Sequence, residues 1–218
     1  MPMKTKILIV DDHPLVREWL ANLINEEADL EVCGQAGSAR DALGLIGGSL
    51  PQIAVVDISL EGGSGLELIK DLQAQHPQMK TLVLSMHDEM LYAERAMRAG
   101  AAGYIMKREA TSKVLDALRT IAGGGLFYSH AVNAMLAQKI VQGTATKPTA
   151  VEILSDRELE VFQLLGSGLS TRQISEQMNV SFKTVQAFCA RIKDKLNLAN
   201  INELIFHAVR WHESQQPR

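Results

Sequence analysis

Three aspartates, a serine and a lysine follow directly on short apolar runs in the first half of this chain. Ile7-Leu8-Ile9-Val10 runs into Asp11-Asp12, and Ile53-Ala54-Val55-Val56 runs into Asp57. Thr81-Leu82-Val83-Leu84 runs into Ser85, and Gly103-Tyr104-Ile105-Met106 runs into Lys107. A fifth run, around Leu30 to Ala36, ends in small residues only. Carboxylates held close together repel one another unless a cation lies among them. A hydroxyl and an ammonium beside them suit a phosphoryl group, so the set suits a metal ion and phosphoryl transfer.

The elements that must position these residues follow from the same runs. Continuous apolar tetrads separated by helical stretches read as buried parallel strands, and open parallel sheets bind ligands beyond the carboxyl ends of their strands. After Asp12, Pro14 suits a first helical turn, and Leu15, Leu20, Leu23 and Ile24 form a stripe. Ser38 and Asp41 are spaced as a capping box before Leu43 and Ile46. Ser64 and Glu67 repeat it before Leu66, Ile69 and Leu72, with Pro77 beyond. Glu89 to Ala99 and Ser112 to Ala122 complete the set. Five βα units of roughly 25 residues make one doubly wound, five-stranded parallel α/β domain over residues 1–123.

Gly123-Gly124-Gly125 ends that pattern. The span 124–150 is expected to be a linker with one helix, Ala131 to Val141, whose face is Val132, Met135, Leu136 and Ile140; Gly143 to Thr149 has linker composition. From 151 to 218 the pattern is all-α, four helices each with a start signal. These are Ser155/Glu158, Ser170/Gln173, Ser181 and Asn200/Glu203. The second and third are joined only by Asn179-Val180-Ser181, a helix-turn-helix spacing. The third is expected to turn Val185, Phe188, Ile192 and Leu196 inward. From Phe182 to Lys195 it sets Lys183, Arg191, Lys193 and Lys195 against Asp194, a local +3 in a chain of −3. That concentration suits phosphate contacts.

The chain has 218 residues, 46% hydrophobic and 22% charged, ordinary for a globular protein, and its net −3 argues against a broadly basic nucleic-acid coat. Its apolar stretches are too short to cross a bilayer, and no signal peptide is visible before the first strand, so a cytoplasmic location with no membrane partner is expected. Cys33 and Cys189 share no metal-ligand spacing and read as reduced thiols.

The first half resembles a two-component receiver domain at Asp11-Asp12, Asp57, Ser85, Tyr104 and Lys107. Leu154-Ser155-Asp156-Arg157-Glu158, Gly168-Leu169-Ser170 and Thr184-Val185…Ile192-Lys193-Asp194-Lys195-Leu196 resemble the four-helix domain of LuxR-type transcription factors. Together they resemble a NarL/FixJ-type response regulator over nearly the whole chain. The resemblance implies Mg²⁺ held by Asp11, Asp12, Asp57 and the Ser59 backbone carbonyl. It implies phosphoryl transfer from a sensor histidine kinase to Asp57, aided by Lys107, with Ser85 drawn to the phosphoryl oxygens and Tyr104 swinging inward. It further implies a homodimer on a palindromic duplex operator, with the last helix (Leu204, Ile205, Ala208, Val209) as dimer surface. The protein is then a regulator rather than an enzyme, catalysing only its own phosphorylation and dephosphorylation. Gln186, Ala187 and Ala190 match groove-facing positions, while Lys183, Thr184, Arg191 and Lys193 suit backbone contacts. Ser59 and His87 stand where receivers tune phosphoryl lifetime, Met86 is bulky after the switch hydroxyl, Arg108 replaces a frequent proline, and Trp19 is unusual. A metal-dependent phosphotransferase is the alternative of another class, but it would carry a second carboxylate where Ser59 stands. A protein-binding module is a third.

Overall fold

The computed structural model describes residues 4–61, 63–142, 151 and 153–215. The chain divides into two compact units, 1–143 and 144–218; each is described by itself. No described helix is long and apolar enough to cross a membrane.

The first unit is a parallel sheet of five strands: β1 (Thr5–Val10), β2 (Leu30–Ala36), β3 (Ile53–Val56), β6 (Lys80–Ser85) and β7 (Gly103–Met106), in the order β2-β1-β3-β6-β7. A two-residue antiparallel pair, β4 (Ser59–Leu60) and β5 (Gly63–Ser64), follows β3. The helices are α1 (Pro14–Asn25), α2 (Ala39–Ser49), α3 (Gly65–Gln75), α4 (Glu89–Ala99) and α5 (Ala110–Ala122). Each apolar tetrad is buried because helices cover both faces. Ile7, Ile9, Ile53, Val55, Leu82 and Leu84 pack with α1 and α5 on one side. Alternate residues such as Leu8, Val10, Ala54 and Val56 point the other way and are equally buried.

The parallel register places the chemistry. Val10 pairs with Val56, Val56 with Val83, and Ser85 with Met106. The residues at or just past these pairs, Asp11, Asp57, Ser85 and Lys107, therefore come out at one rim.

Local departures from the expected pattern have simple causes. Leu15 is 79% exposed, because α1 turns Leu20, Ala21 and Ile24 inward instead. In α2 the buried residue beside Ile46 is Ala42, not Leu43. Ser38 does cap α2, accepting from the Asp41 N–H at 3.2 Å. Ser64, buried at the end of β5, makes no such side-chain bond. The fifth helix starts two residues early, at Ala110, led in by a 3-10 turn over Lys107–Glu109.

Gly44 and Gly47 lie inside α2, and a Cβ at either would meet nothing within 4 Å. Glycine there costs helix stability only through backbone entropy. Alanine at both should therefore raise the unfolding free energy by about 1–2 kcal/mol, read as a higher urea midpoint at unchanged slope. A drop in midpoint would show that α2 needs those glycines.

A further helix, α6 (His130–Gln142), belongs to the same unit and packs on α4. Phe127 leads into it and bridges the β7 edge at Gly103. The Tyr104 N–H donates to the Phe127 carbonyl at 2.9 Å, and the Phe127 N–H to the Ala102 carbonyl at 2.9 Å. Val132 is fully buried and Met135 and Leu136 half-buried, but Ile140, expected on the same face, is exposed. The Gly143 to Thr149 linker reading lies outside the described residues.

The second unit holds α7 (Asp156–Gly166), α8 (Thr171–Gln177), α9 (Phe182–Leu196) and α10 (Ile201–Gln215). Ser170 caps α8 through the Gln173 N–H, Ser181 caps α9 through the Thr184 N–H, and Asn200 accepts from the Glu203 N–H. Helix α10 lies so close to α7 that a Cβ on Gly166 would stand 2.6 Å from the Ala208 carbonyl oxygen. The inward stripe of α9 is Val185, Cys189 and Ile192, whereas Phe188 and Leu196 are half-buried. On α10, Leu204 and Ala208 close this unit's own core; Ile201, Ile205 and Phe206 remain exposed. Of the expected dimer surface, Leu204 and Ala208 are thus core residues.

Candidate functional site

The rim residues converge on Lys107. Its Nζ lies 2.7 Å from Asp57 Oδ2 and 2.6 Å from Asp11 Oδ2. The lysine side chain is only 11% exposed, and both carboxylates are buried. The backbone fixes this triangle: the Asp57 N–H donates to the Val10 carbonyl at 2.9 Å, and the Asp11 N–H to the Ala36 carbonyl at 3.1 Å. Behind Asp57, a Cβ on Gly65 would fall 1.9 Å from the Asp57 carbonyl oxygen. Only glycine lets α3 begin so close to the acceptor strand.

Burial pushes the Asp57 carboxyl above the ordinary aspartate value; the Lys107 ammonium opposes this, and the Asp11 charge adds to it. Burial acts on Lys107 in the opposite sense, but the Asp57 and Asp11 carboxylates outweigh it and hold the ammonium above its usual value. Lys107 is therefore a fixed cation between two anions.

One ammonium does not balance three aspartates. One ligand atom each from Asp11, Asp12, His13 and Asp57 lies within 4.8 Å of the other three. Asp12 Oδ1 is buried and makes no hydrogen bond; His13 Nδ1 lies 2.7 Å from it. A buried, unsatisfied carboxylate oxygen facing other carboxylates fits a hard divalent cation with oxygen ligands. Sequence reasoning omitted His13 from this group. Its signal was its place directly after the aspartate pair and before Pro14, which makes it the residue preceding α1.

The switch residues lie alongside. Ser85 is fully buried, and its Oγ accepts from the His87 N–H at 3.4 Å. Tyr104 is buried, donating its hydroxyl to the His87 carbonyl at 2.9 Å. The ring is thus already inward, where it was expected only after activation. Burial raises the Tyr104 hydroxyl pKa well above the tyrosine value, so it stays a donor. Ser59 contributes its backbone N–H at 3.4 Å from Asp57 Oδ1, and its hydroxyl lies 2.9 Å from His87 Nε2. The His87 ring stacks on Tyr92 with centroids 4.5 Å apart.

The second unit carries a separate surface. Lys183, Gln186, Ala187 and Ala190 are exposed on α9. Lys193 is half-buried and lines a cleft of about 290 Å³ with Gln186, Ala190 and Thr171. Two of the expected contact residues are engaged within the unit. Thr184 shares its hydroxyl with Ser181 at 2.8 Å. Arg191 lies 3.4 Å from Glu158 and 4.8 Å over the Phe188 ring. Glu158, buried on α7, also takes Lys195 Nζ at 2.6 Å and the Ser155 N–H at 2.7 Å. Sequence reasoning saw Glu158 only as a cap. It also ties α9 to α7.

A five-stranded parallel sheet with an acidic rim, followed by a helix-turn-helix unit, defines a two-domain regulator class. Residues 7–119 match the response regulator receiver domain, and residues 152–208 match the bacterial regulatory proteins of the luxR family. The transcriptional activator protein ExaE of Pseudomonas putida is 34% identical over 203 residues, covering 93% of this chain and 95% of ExaE. The DNA-binding transcriptional activator DevR/DosR of Mycobacterium tuberculosis is 31% identical over 213 residues, covering 97% of each. A crystal structure of a LuxR-family two-component response regulator from Aurantimonas is 29% identical with a TM-score of 0.59, covering 64% of this chain and 99% of that one. The chain belongs to the LuxR-type (NarL/FixJ-type) two-component response regulators, which control transcription.

Proposed function

We propose that Asp57 accepts a phosphoryl group from the phosphohistidine of a sensor kinase and that this event gates DNA binding by the second unit. The carrying observation is the buried triangle of Asp57, Lys107 and Asp11 at the sheet rim. A carboxylate oxygen of Asp57 attacks phosphorus, the histidine N–P bond breaks, and an acyl phosphate forms. Lys107, with its Nζ 2.7 Å from Asp57 Oδ2, would hold a phosphoryl oxygen, and the Ser59 N–H lies 3.4 Å from Asp57 Oδ1. Mg²⁺, bound by Asp11, Asp12, Asp57 and the Ser59 carbonyl, would supply the positive charge that three carboxylates and one ammonium lack. Ser85 then turns its hydroxyl to the phosphoryl group, which changes the loop that also anchors Tyr104 through His87.

On the second unit, Lys183, Gln186, Ala187, Ala190 and Lys193 form the DNA face, with Gln186 and the alanines towards base edges and the lysines towards phosphates. The DNA-binding name of DevR/DosR supports this reading. Thr184 and Arg191 first shape that face, through Ser181 and through Glu158 and Phe188, and contact phosphate from there. A single four-helix unit reads few base pairs, so two copies on a palindromic duplex are expected, with exposed Ile201, Ile205 and Phe206 as the part of α10 left free to meet a second copy. A regulator that reads duplex DNA works in the cytoplasm.

The test is Asp57→Asn. With Mg²⁺ and acetyl phosphate, the native chain should take up one phosphoryl group by intact mass and enrich a palindromic site from random duplexes. The variant should take up none and enrich no more site with phosphodonor than without. Phosphorylation or donor-dependent enrichment in the variant would overturn the assignment. Reversal of charge by Lys183→Glu should abolish enrichment with the fold intact.

A further inference from the structure

Helix α6 and residues 125–129 before it are not spent on the chemistry above, yet they are fastened to the element that carries it. Ser129 begins α6, its Oγ accepting from the Val132 N–H at 3.2 Å. The same Oγ donates to Glu89 Oε1 at 2.7 Å. Glu89 is the first residue of α4, immediately after Asp88, whose carboxylate caps that helix through the Met90 N–H at 2.8 Å. Further along, Lys139 of α6 pairs with Glu94 of α4. The loop from Ser85 to Glu89 thus has the switch hydroxyl at one end and the fastening of α6 at the other, with the Tyr104 hydroxyl tied to its middle at His87.

From this geometry we infer that the Glu89–Ser129 bond is a latch that holds α6 on α4 and opens when Asp57 is phosphorylated. The inference rests on the phosphoryl acceptance proposed above. Two further features favour it. Among the described side chains of α6, Val132 alone is fully buried, with Met135 and Leu136 half-buried, so the helix is weakly anchored and can open while the sheet stays folded. A cavity of about 230 Å³ lies between Glu89, Tyr104, Phe127 and Ser129, which leaves the start of α4 room to move without displacing packed side chains. When Ser85 turns to the phosphoryl oxygens, the His87 N–H loses its acceptor, the loop shifts, and Glu89 moves off Ser129. Release of α6 frees the chain that leads to the second unit.

Amide exchange on the full chain tests this. In the native protein, residues 130–142 should exchange about tenfold faster with acetyl phosphate and Mg²⁺ than without, as expected for loss of one charge-assisted hydrogen bond. Glu89→Ala leaves Ser129 able to cap α6 but removes the latch, so its α6 should exchange fast without phosphodonor and respond no further. Ser129→Thr keeps the hydroxyl and should retain both the protection and the response. Intact mass of the same samples separates the two readings. A phosphorylated chain whose α6 exchange is unchanged overturns the latch alone. So does slow exchange in unphosphorylated Glu89→Ala. A chain that takes no phosphoryl group overturns the proposed function and this inference with it.

Discussion

Replacing Lys107 by alanine should slow phosphoryl transfer to Asp57 by about 10²–10³-fold, the usual cost of removing one preorganised charge-stabilising donor. Lys107 is the ammonium that touches both Asp57 and Asp11, at 2.7 and 2.6 Å, and it faces the position where negative charge builds up. The same change should lower the stability of the first unit by about 3 kcal/mol at neutral pH, because it leaves two buried carboxylates without their counter-charge. The pH dependence has a definite sign. Burial already holds the folded Asp57 pKa above its ordinary value. Without Lys107 it rises further, so the folded state binds a proton that the unfolded state releases. The deficit should therefore shrink as pH falls towards the folded value and be full well above it. Added Mg²⁺ should also reduce it by binding only the folded chain. Single-turnover phosphorylation and urea titrations at several pH values measure both effects. A variant that phosphorylates at the native rate would remove Lys107 from the mechanism.

Glu158→Ala should strongly destabilise the second unit. Glu158 is buried on α7 and accepts from Lys195 Nζ at 2.6 Å and from the Ser155 N–H at 2.7 Å, with Arg191 at 3.4 Å. One carboxylate thus closes the start of α7 and holds two cations of α9. Alanine removes the cap and the pairing together. Lys195 and Arg191 are near enough to the surface to regain water, which limits the loss to about 2–3 kcal/mol. In so small a domain that is a large part of the total, and the melting midpoint should fall by about 10 °C or more. Burial works to raise the Glu158 pKa, but the Lys195 hydrogen bond and the Ser155 N–H bond prevail and hold it below the usual glutamate value. Its contribution is thus fully present above the unfolded value and lost as pH falls through the folded one. Native and variant melts should converge in acid. DNA affinity should fall even below the melting temperature, since α9 loses its tie to α7. A variant melting with the native profile would refute this role.

The strand set and the acidic rim were legible because apolar tetrads have no other use in a chain of this polarity, and parallel register then brings their ends level. What was not legible is mostly helical phase. Five apolar residues of α9, Val185, Phe188, Cys189, Ile192 and Leu196, fit an inward stripe about equally well, and only packing chose Cys189 over Phe188 and Leu196. Leu15 looked like part of the α1 stripe, but α1 buries Leu20, Ala21 and Ile24 and leaves Leu15 outside. On α10 the residues that α7 covers could not be told from those left free, because the close contact at Gly166 is a tertiary fact. Basic residues on α9 advertised a ligand surface, yet Arg191 and Lys195 also serve Glu158, a pairing that sequence separation concealed. Tyr104 was identified by position, but its inward orientation depends on the His87 carbonyl and has no sequence signal.

The run of chain at Phe127 also settles how the sheet ends. By donating to Ala102, just before β7, and accepting from Tyr104 within it, it occupies backbone groups that would otherwise face solvent, and Gly103 permits this because any Cβ there would meet the Phe127 carbonyl oxygen at 2.8 Å. A fragment cut after Ala122 would keep its strands and its aspartates yet offer a bare β-edge, the template on which copies pair indiscriminately. Such a shortened receiver is therefore expected to self-associate through that edge, and its oligomers would say nothing about how the intact regulator assembles.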